Sequence, residues 1–245
     1  MPNSISQAIN ELKNAQKSSR GAAAYSRFIN RPLGRVLAAV AHVSGLSPNQ
    51  VTVVSGCVTF CGIAVLVLVS PSWWSSLLVS ALLVLGYALD SADGQVARLQ
   101  KRSSPEGEWL DHMVDALKMG SIHTAVLISW FRFSDLSTRW LIVPVIAQIV
   151  ASVFFFGMIL TDLLRRNFQL RNPEAELRRS NEAEAVNTLY SLAVLPADYG
   201  FLCLIFTTLW IQSLFVTIYT TITALTSVLF LLALGRWYRD VKSLK

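Results

Sequence analysis

The longest uncharged stretch of the sequence limits what the chain can fold into. Residues 199–235 contain no Asp, Glu, Lys or Arg. A single helix of that length would extend about 55 Å, nearly twice the hydrocarbon core of a bilayer, which is about 30 Å thick. We therefore expect two membrane-spanning helices here, separated near residues 212–214.

Four more apolar segments predict further spans. A helix crosses the hydrocarbon with roughly 20 mainly apolar residues. The chain is 53% hydrophobic and only 15% charged, whereas soluble domains are roughly 25% charged. The sequence therefore predicts an all-α, polytopic membrane protein with six transmembrane helices. The four additional segments are residues 51–70, 75–89, the part up to 131 of a helix that starts near Gly107, and 140–161.

The segment before the first span predicts a helix on the membrane surface. Pro32 suits a first helical turn, and the apolar residues of 32–44 share one face. They are Leu33, Val36, Leu37 and Val40. An amphipathic helix of this kind lies in the interface with its apolar face towards the lipid. We therefore divide the chain into a cytoplasmic N-terminal segment, 1–46, and a six-helix membrane domain, 47–240.

The positive charges fall on alternate sides of the predicted spans. Lys and Arg are frequent in the N-terminal segment, in the 98–108 and 162–185 loops and at the C-terminus, whereas the other connections hold only Arg132 and Arg139. Because cytoplasmic loops are enriched in Lys and Arg, we expect a multi-pass protein of the cell membrane with both termini in the cytoplasm. The net charge of +6 follows from this topology and from attraction to anionic lipid, and we expect no nucleic-acid partner.

Two pairs of aspartates lie where apolar runs meet the cytoplasmic side. Asp90 and Asp93 end one run, and Asp111 and Asp115 lead into the next. Helical residues turn by about 100° each, so the first pair lies about 60° apart and the second about 40° apart. The short connection at 99–106 predicts that the two helices are antiparallel neighbours, and we expect both pairs to face one cavity.

Four carboxylates in one cavity would repel one another strongly at low dielectric. Protonation or bound cations would relieve the repulsion, and Mg²⁺ or Mn²⁺ prefers such oxygen ligands. Two ions about 3.5–4 Å apart are a known arrangement for holding a diphosphate. The alternative is a structural salt-bridge network between the aspartates and nearby cations, namely Arg98, Lys101, Arg102 and Lys118.

Small residues accompany the aspartates. Gly94, Ala97 and Gly107 lie on the same helical faces and would leave room for a flat ligand such as a nucleotide. Arg98 extends the face towards the cytoplasm, where its guanidinium could contact a phosphate. The sequence thus predicts an acidic site with a nucleotide beside it.

The acidic stretch follows a known pattern when it is written out in full. It is Asp90-x-x-Asp93-Gly94-x-x-Ala97-Arg98, eight residues, then Gly107-x-x-x-Asp111-x-x-x-Asp115. This pattern resembles the signature of the CDP-alcohol phosphotransferases, or CDP-alcohol phosphatidyltransferases. Residues 46–56, LSPNQVTVVSG, also resemble the Pro-Asn-x-x-Thr sequence that commonly opens the first span of that family.

The resemblance implies an enzyme of phospholipid biosynthesis. A CDP-linked donor, either CDP-diacylglycerol or a soluble CDP-alcohol, would transfer a phospho-alcohol group to an acceptor alcohol and release CMP, with a phosphatidyl group favoured. Asp115 would be the general base, and the protein would be a homodimer. Two divalent cations, Mg²⁺ or Mn²⁺, would be held by Asp90, Asp93, Asp111 and Asp115. The nucleotide would contact Gly94, Ala97, Arg98 and Gly107, together with Asn49 and Thr52, which could instead cap a helix.

The acceptor stays open at the level of the sequence. Lys118 would either bind an acceptor phosphate or balance the carboxylates, and Arg165 and Arg166 would either bind an anionic acceptor or anchor the helix. SSPEGEWLDHMVDAL resembles the choline and ethanolamine phosphotransferases, whereas NRPLGRVLAAVAHVSGLSPNQVT resembles bacterial and archaeal members, including those that handle inositol phosphates. These two similarities favour different acceptors.

Two other functions would also use acidic residues in a membrane. A membrane prenyltransferase holds a diphosphate through Mg²⁺ and Asp-rich motifs, but we would expect two separate Asp clusters and more spans. A cation-coupled transporter would use carboxylates as its ion site, but broken helices and an internal repeat are typical of such folds. The sequence shows one Asp cluster and no repeat.

Overall fold

The computed structural model describes residues 4–14, 23–172 and 188–244. Within those ranges the chain is helical and has no strand, so the all-α prediction is confirmed. Much of the predicted 162–185 loop, and several Lys and Arg residues used to predict the orientation, lie outside the described residues. The first part of that loop was predicted wrongly, because the preceding helix continues to Arg171.

The helices follow one another with short connections. A π-helical segment, Ser26–Asn30, runs directly into the second helix, and 3-10 turns lie at Thr138–Leu141, Leu195–Ala197 and Phe206–Thr208. The α-helices of the described residues are α1 (Ile5–Asn14), α2 (Arg31–Val43), α3 (Pro48–Leu68), α4 (Trp73–Gln100), α5 (Pro105–Phe133), α6 (Ile142–Arg171), α7 (Thr188–Ala193), α8 (Tyr199–Ile205) and α9 (Gln212–Lys242).

Serine caps fix where two of the central helices begin. Ser47 and Gln50 form a reciprocal capping box at the start of α3. At the start of α5, the Gly107 N–H donates a hydrogen bond of 3.2 Å to the Ser104 hydroxyl. After α4, Lys101 adopts a left-handed backbone with φ 51°, which ends the helix and turns the chain back. α5 therefore returns antiparallel to α4.

α3 holds α4 and α5 in place. It packs against both helices, whereas α4 and α5 make few backbone contacts with each other. The Ser55 hydroxyl of α3 donates a hydrogen bond of 2.8 Å to the Gly86 carbonyl of α4. A side chain at position 86 would collide with Thr59, so glycine is what allows this close approach. The predicted neighbours α4 and α5 thus face each other across a gap that α3 bridges.

Four helices among the described residues are long and apolar enough to cross a membrane. They are α3, α4, α9, and α6 with its preceding turn. The apolar windows of α3 and α4 are 44% buried, whereas those of α6 and α9 are 17% and 22% buried. α3 and α4 therefore form the inside of the bundle, and α6 and α9 present most of their apolar surface outwards.

The other two predicted spans are helical where expected but fall short of this criterion. The first half of α5 carries most of its charged residues, which leaves 119–131 as its apolar part. The segment predicted to begin at 199 is the helical stretch Tyr199–Thr208, about 15 Å long, and α9 begins at Gln212, close to the predicted division. The prediction of six spans is therefore met in part, by four.

The helix predicted at 32–44 is present as α2. Its small residues are buried, and an added Cβ at Gly34 would lie 2.8 Å from the Ser91 hydroxyl of α4. The opposite face exposes Leu33, Val36, Val40 and Val43. α2 therefore packs on the bundle through its small residues and leaves its larger apolar residues uncovered. α1 packs on it through two buried residues, Ala8 and Leu12.

Candidate active site

The gap between α4 and α5 brings the predicted aspartates together. One carboxylate oxygen from each of Asp90, Asp111 and Asp115 lies within 4.8 Å of the others. All three side chains are half-buried. A set of oxygen donors this close fits a hard divalent cation such as Mg²⁺ or Mn²⁺, which prefers carboxylate ligands. The side chains present therefore fit the metal that the sequence predicts.

Asp93 lies beside these three carboxylates rather than among them. Its carboxylate accepts a hydrogen bond of 2.6 Å from the Thr52 hydroxyl of α3 and another from the Gly94 N–H. Its side chain is 7% exposed. Thr52 therefore orients Asp93, and the Pro48 carbonyl lies 3.2 Å from the same hydroxyl. The helix-capping alternative for Thr52 is not what the structure shows, because Ser47 is the cap of α3.

Lys118 is the cation that the structure places among the aspartates. Its ammonium, 3% exposed, is hydrogen-bonded to Asp90, to Asp115 at 3.1 Å and to the Ser55 hydroxyl at 3.1 Å. Of the two interpretations of Lys118, this geometry favours charge balance. Sequence reasoning missed Ser55. The available signal was the series of small residues on one face of α3, namely Thr52, Ser55, Gly56 and Thr59.

The residues predicted for the nucleotide lie near the starts of α3 and α5 and the end of α4. An added Cβ at Gly107 would lie 3.1 Å from the Asn49 side-chain oxygen, so the first turns of α3 and α5 approach closely. At Gly94 an added Cβ would meet only the Arg98 guanidinium, at 3.8 Å. The Nε of Arg98 is buried and has no hydrogen-bond partner among the described residues. A buried guanidinium nitrogen of this kind fits a phosphate oxygen. Ala97 is half-buried one residue before it.

Arg165 and Arg166 lie elsewhere. Both are on α6, and both form ion pairs. Arg165 pairs with Asp240 of α9. Arg166 pairs with Glu108 of α5 and with Asp162 of α6, in both cases at 2.6 Å. They line a cavity of about 310 Å³ together with His112, Thr161 and Trp237. The structure therefore does not bring them to the cavity that the aspartates line.

A larger cavity begins at the aspartates and continues away from Arg98 and Gly107. Its volume is about 440 Å³, and both Asp90 and Asp115 line it. α5, α6 and α9 supply most of the rest of its wall. Deeper along α5, the His123 Nδ1 lies 2.7 Å from the Tyr219 hydroxyl. Sequence reasoning did not single out this cavity, because its wall comes from helices that are distant in sequence.

Asp198 closes another part of the same cavity. It caps α8 by accepting a hydrogen bond of 2.9 Å from the Gly200 N–H, and it accepts another of 2.9 Å from the Ser26 N–H. Asp198 therefore marks the start of α8. Its second bond ties the segment before α2 to the start of α8.

Comparison with known proteins agrees with this geometry. The family model for CDP-alcohol phosphatidyltransferase matches residues 45–235, which is well over half of the 245 residues. No curated protein matches the chain. The family is membrane-integral, transfers phosphate-containing groups in phospholipid synthesis and typically uses a divalent metal. The matched range includes every aspartate of the site, and the chain belongs to the CDP-alcohol phosphatidyltransferase family.

Proposed function

We propose that the protein is an integral membrane CDP-alcohol phosphotransferase. It transfers a phospho-alcohol group from a CDP-linked donor to an acceptor alcohol and releases CMP. The observation that carries this proposal is the convergence of Asp90, Asp111 and Asp115, with one oxygen each within 4.8 Å, on the motif of the family. A prenyltransferase or a cation-coupled transporter is less well supported, because the family match runs from before α3 to most of α9.

The reaction can be written with every atom assigned. The acceptor hydroxyl oxygen forms a bond to the phosphorus that carries the donor alcohol. The bond from that phosphorus to the bridging oxygen of CMP breaks, and CMP leaves with the electron pair. The hydroxyl proton passes to the Asp115 carboxylate, which lies where the carboxylate cluster meets the large cavity. Divalent cations at the aspartates would neutralise the diphosphate and the charge that grows on CMP.

The other side chains bind and orient. Asp93, oriented by Thr52, would add a fourth carboxylate to those that hold the metal, and the Arg98 guanidinium contacts a donor phosphate beside Gly94. Gly107 and Asn49 border the nucleotide where α3 and α5 approach. Ala97 leaves space on the same face of α4. Lys118 balances Asp90 and Asp115 and keeps both carboxylates facing the gap.

We further propose that all six predicted segments cross the cell membrane, with both termini and the active site on the cytoplasmic side. Asp111, Asp115 and Lys118 of α5 are half-buried or buried in the gap beside α3, which lowers the cost of inserting this helix. The alternation of Lys and Arg along the chain supports the orientation. A homodimer follows from the family resemblance alone.

An assay of CMP release tests the proposal. Purified protein is given CDP-dioleoylglycerol or soluble CDP-alcohols, with a panel of acceptors, in Mg²⁺, Mn²⁺ or EDTA. We expect turnover that EDTA abolishes. Asp115→Asn should lower turnover by roughly 100- to 10,000-fold, as for other general bases, while divalent-dependent donor binding remains.

Asp135→Asn is the matched control, since Asp135 lies in the connection after α5 and outside the site. It should turn over at the rate of the unmodified protein. Normal turnover in Asp115→Asn would remove the proposed base. Absence of CMP release with every donor and acceptor would contradict the proposed function itself.

A further inference from the structure

The large cavity lies on the opposite side of the catalytic carboxylates from the nucleotide residues. Along α5, Gly107 lies on the cytoplasmic side of Asp115, whereas Met119 and His123 of the cavity follow it. The eight residues from Asp115 to His123 place the deep end about 12 Å further along the helix axis. Along α4 the order is the same, with Tyr87 of the cavity on one side of Asp90 and Arg98 on the other.

The position of the cavity relative to the nucleotide residues indicates that it is the side from which the acceptor approaches. In phosphoryl transfer the attacking oxygen and the leaving group lie roughly in line on either side of the phosphorus. CMP lies on the side of Arg98 and Gly107 in the proposed function, on which this inference rests. The acceptor must therefore approach from the side that the cavity occupies, with its hydroxyl next to Asp115.

The charges of the wall disfavour an anionic acceptor. Among the described residues that line the cavity, none is Lys or Arg, and Asp90, Asp115 and Asp198 are acidic. The nearest ammonium, that of Lys118, is engaged with two carboxylates and Ser55. An acceptor phosphate would be removed from water among carboxylates without a cationic side chain to pair with it, which is costly.

The deep end of the cavity favours an apolar body. The side chains of Val150, Phe154, Leu202 and Ile222 line it. Its main polar groups there, His123 and Tyr219, are 8% and 1% exposed and bond to each other at 2.7 Å. Because the His123 Nδ1 and the Tyr219 hydroxyl bond to each other, these two atoms are not free to bind a ligand, and the wall beside them is mainly apolar side chain. An apolar body would match these side chains better than a small polyol would.

We infer that the acceptor is an uncharged lipid alcohol, whose hydroxyl lies at Asp115 and whose apolar body occupies the cavity between α5, α6 and α9. The volume of about 440 Å³ falls within the range of roughly 300–1,000 Å³ that is usual for ligand sites. α6 and α9 also face outwards over most of their apolar surface, which places the cavity next to the lipid from which such an acceptor would come. Ala151, on the α6 wall, is the residue at which the cavity can be filled.

The test compares acceptors on the unmodified protein in nanodiscs. The acceptors are dioleoylglycerol, glycerol 3-phosphate, inositol phosphate, inositol and serine, each with CDP-dioleoylglycerol and with soluble CDP-alcohols. CMP release and the product mass are measured. We expect dioleoylglycerol to give a kcat/KM at least about tenfold above every other acceptor, as a matched apolar site discriminates. A higher kcat/KM with a phosphorylated or small polar acceptor overturns the inference but leaves the proposed function intact.

A substitution that fills the cavity tests whether the cavity holds the acceptor or a chain of the donor lipid. Ala151→Phe should raise the KM for dioleoylglycerol by about tenfold or more, with the KM for the CDP donor unchanged. Ala224→Phe, an exposed position on α9 that does not line the cavity, is the matched control and should change neither value. A rise in the donor KM instead would show that the cavity holds a donor chain, and would overturn the inference. The acceptor panel decides the question even if Ala151→Phe does not fold, because it uses the unmodified protein.

Discussion

Two cavities meet at Met158 and differ in how their charges are neutralised. The smaller cavity, about 310 Å³, is lined by Arg165 and Arg166, whose guanidinium groups are paired with acids on their own or neighbouring helices. The larger, about 440 Å³, is bordered by Asp90 and Asp115, which share a single buried ammonium. Met158 lines both.

The difference separates two uses of charge in one bundle. The arginine pairs tie α6 to α5 and to α9 near the helix ends, where water reaches them and each exposed pair contributes little. The aspartates lie deeper and are only partly compensated, a costly arrangement that is usually functional inside a membrane protein. We call the smaller cavity, lined by Arg165 and Arg166, the arginine cavity, and the larger one, bordered by Asp90 and Asp115, the aspartate cavity. We propose that the arginine cavity is structural and the aspartate cavity is catalytic.

The largest effect expected from this comparison follows removal of Lys118. Lys118→Met would leave Asp90 and Asp115 buried without their ammonium, and breaking a buried ion pair costs about 3–5 kcal/mol. We expect this loss in the free energy of unfolding in EDTA, and we expect Mg²⁺ or Mn²⁺ to restore part of it by binding the freed carboxylates. Thermal unfolding in detergent, with and without the metal, measures both effects.

Arg165→Met is the control from the other cavity. It removes the partner of Asp240 from a half-exposed pair, so the loss should be about 0–1 kcal/mol and should not depend on the metal. Equal losses in the two variants, or a Lys118→Met variant that ignores the metal, would mean that the two cavities do not differ as proposed.

The aspartate cavity could be predicted in part from the sequence. Helical periodicity places Asp90 with Asp93 and Asp111 with Asp115, and the short connection makes the two helices antiparallel. Three of these carboxylates do converge. What could not be predicted is the helix that lies beside them, because periodicity within one helix does not identify its neighbour. The contacts of α3, from Thr52 to Asp93 and from Ser55 to Lys118, therefore appear only in the structure.

The arginine cavity and the span count show the same limit. Arg165 and Arg166 were placed in a loop because they follow an apolar run, but α6 continues through them and their partners Asp240 and Glu108 come from distant helices. The apolar run 199–235 was long enough for two spans, yet its first part forms only a short helix. Length and composition give the number of apolar runs, whereas tertiary packing decides where each helix ends.

Substitutions at two glycines, Gly157 and Gly107, should change stability or donor KM by intermediate amounts. An added Cβ at Gly157 would lie 2.8 Å from the Trp237 ring of the arginine cavity, so Gly157→Ala should lower the free energy of unfolding by about 1–3 kcal/mol through overpacking. The KM of the Gly157→Ala variant for the CDP donor should not change.

Gly107→Ala should raise the KM for the CDP donor and leave the free energy of unfolding nearly unchanged. The added methyl would lie 3.1 Å from the exposed Asn49 side chain and 3.3 Å from the Ser104 hydroxyl, two flexible polar groups, so stability should change little. Loss of one hydrogen bond to the nucleotide, about 1 kcal/mol, corresponds to roughly a fivefold rise in the donor KM. Thermal unfolding and donor KM, measured on both variants, separate the packing role of Gly157 from the nucleotide role proposed for Gly107. A donor KM that rises in Gly157→Ala but not in Gly107→Ala would reverse the assignment.

The smallest effect is expected at Arg166, and it bears most directly on the acceptor. Arg166 pairs with Glu108 and Asp162 at the exposed end of α6, so Arg166→Gln should lower the free energy of unfolding by at most about 1 kcal/mol. It should leave the KM of every acceptor unchanged, since Arg166 does not line the cavity that Asp115 lines. If glycerol 3-phosphate were a substrate and its KM rose in this variant alone, Arg166 would bind an acceptor phosphate, and the division between a structural and a catalytic cavity would fail.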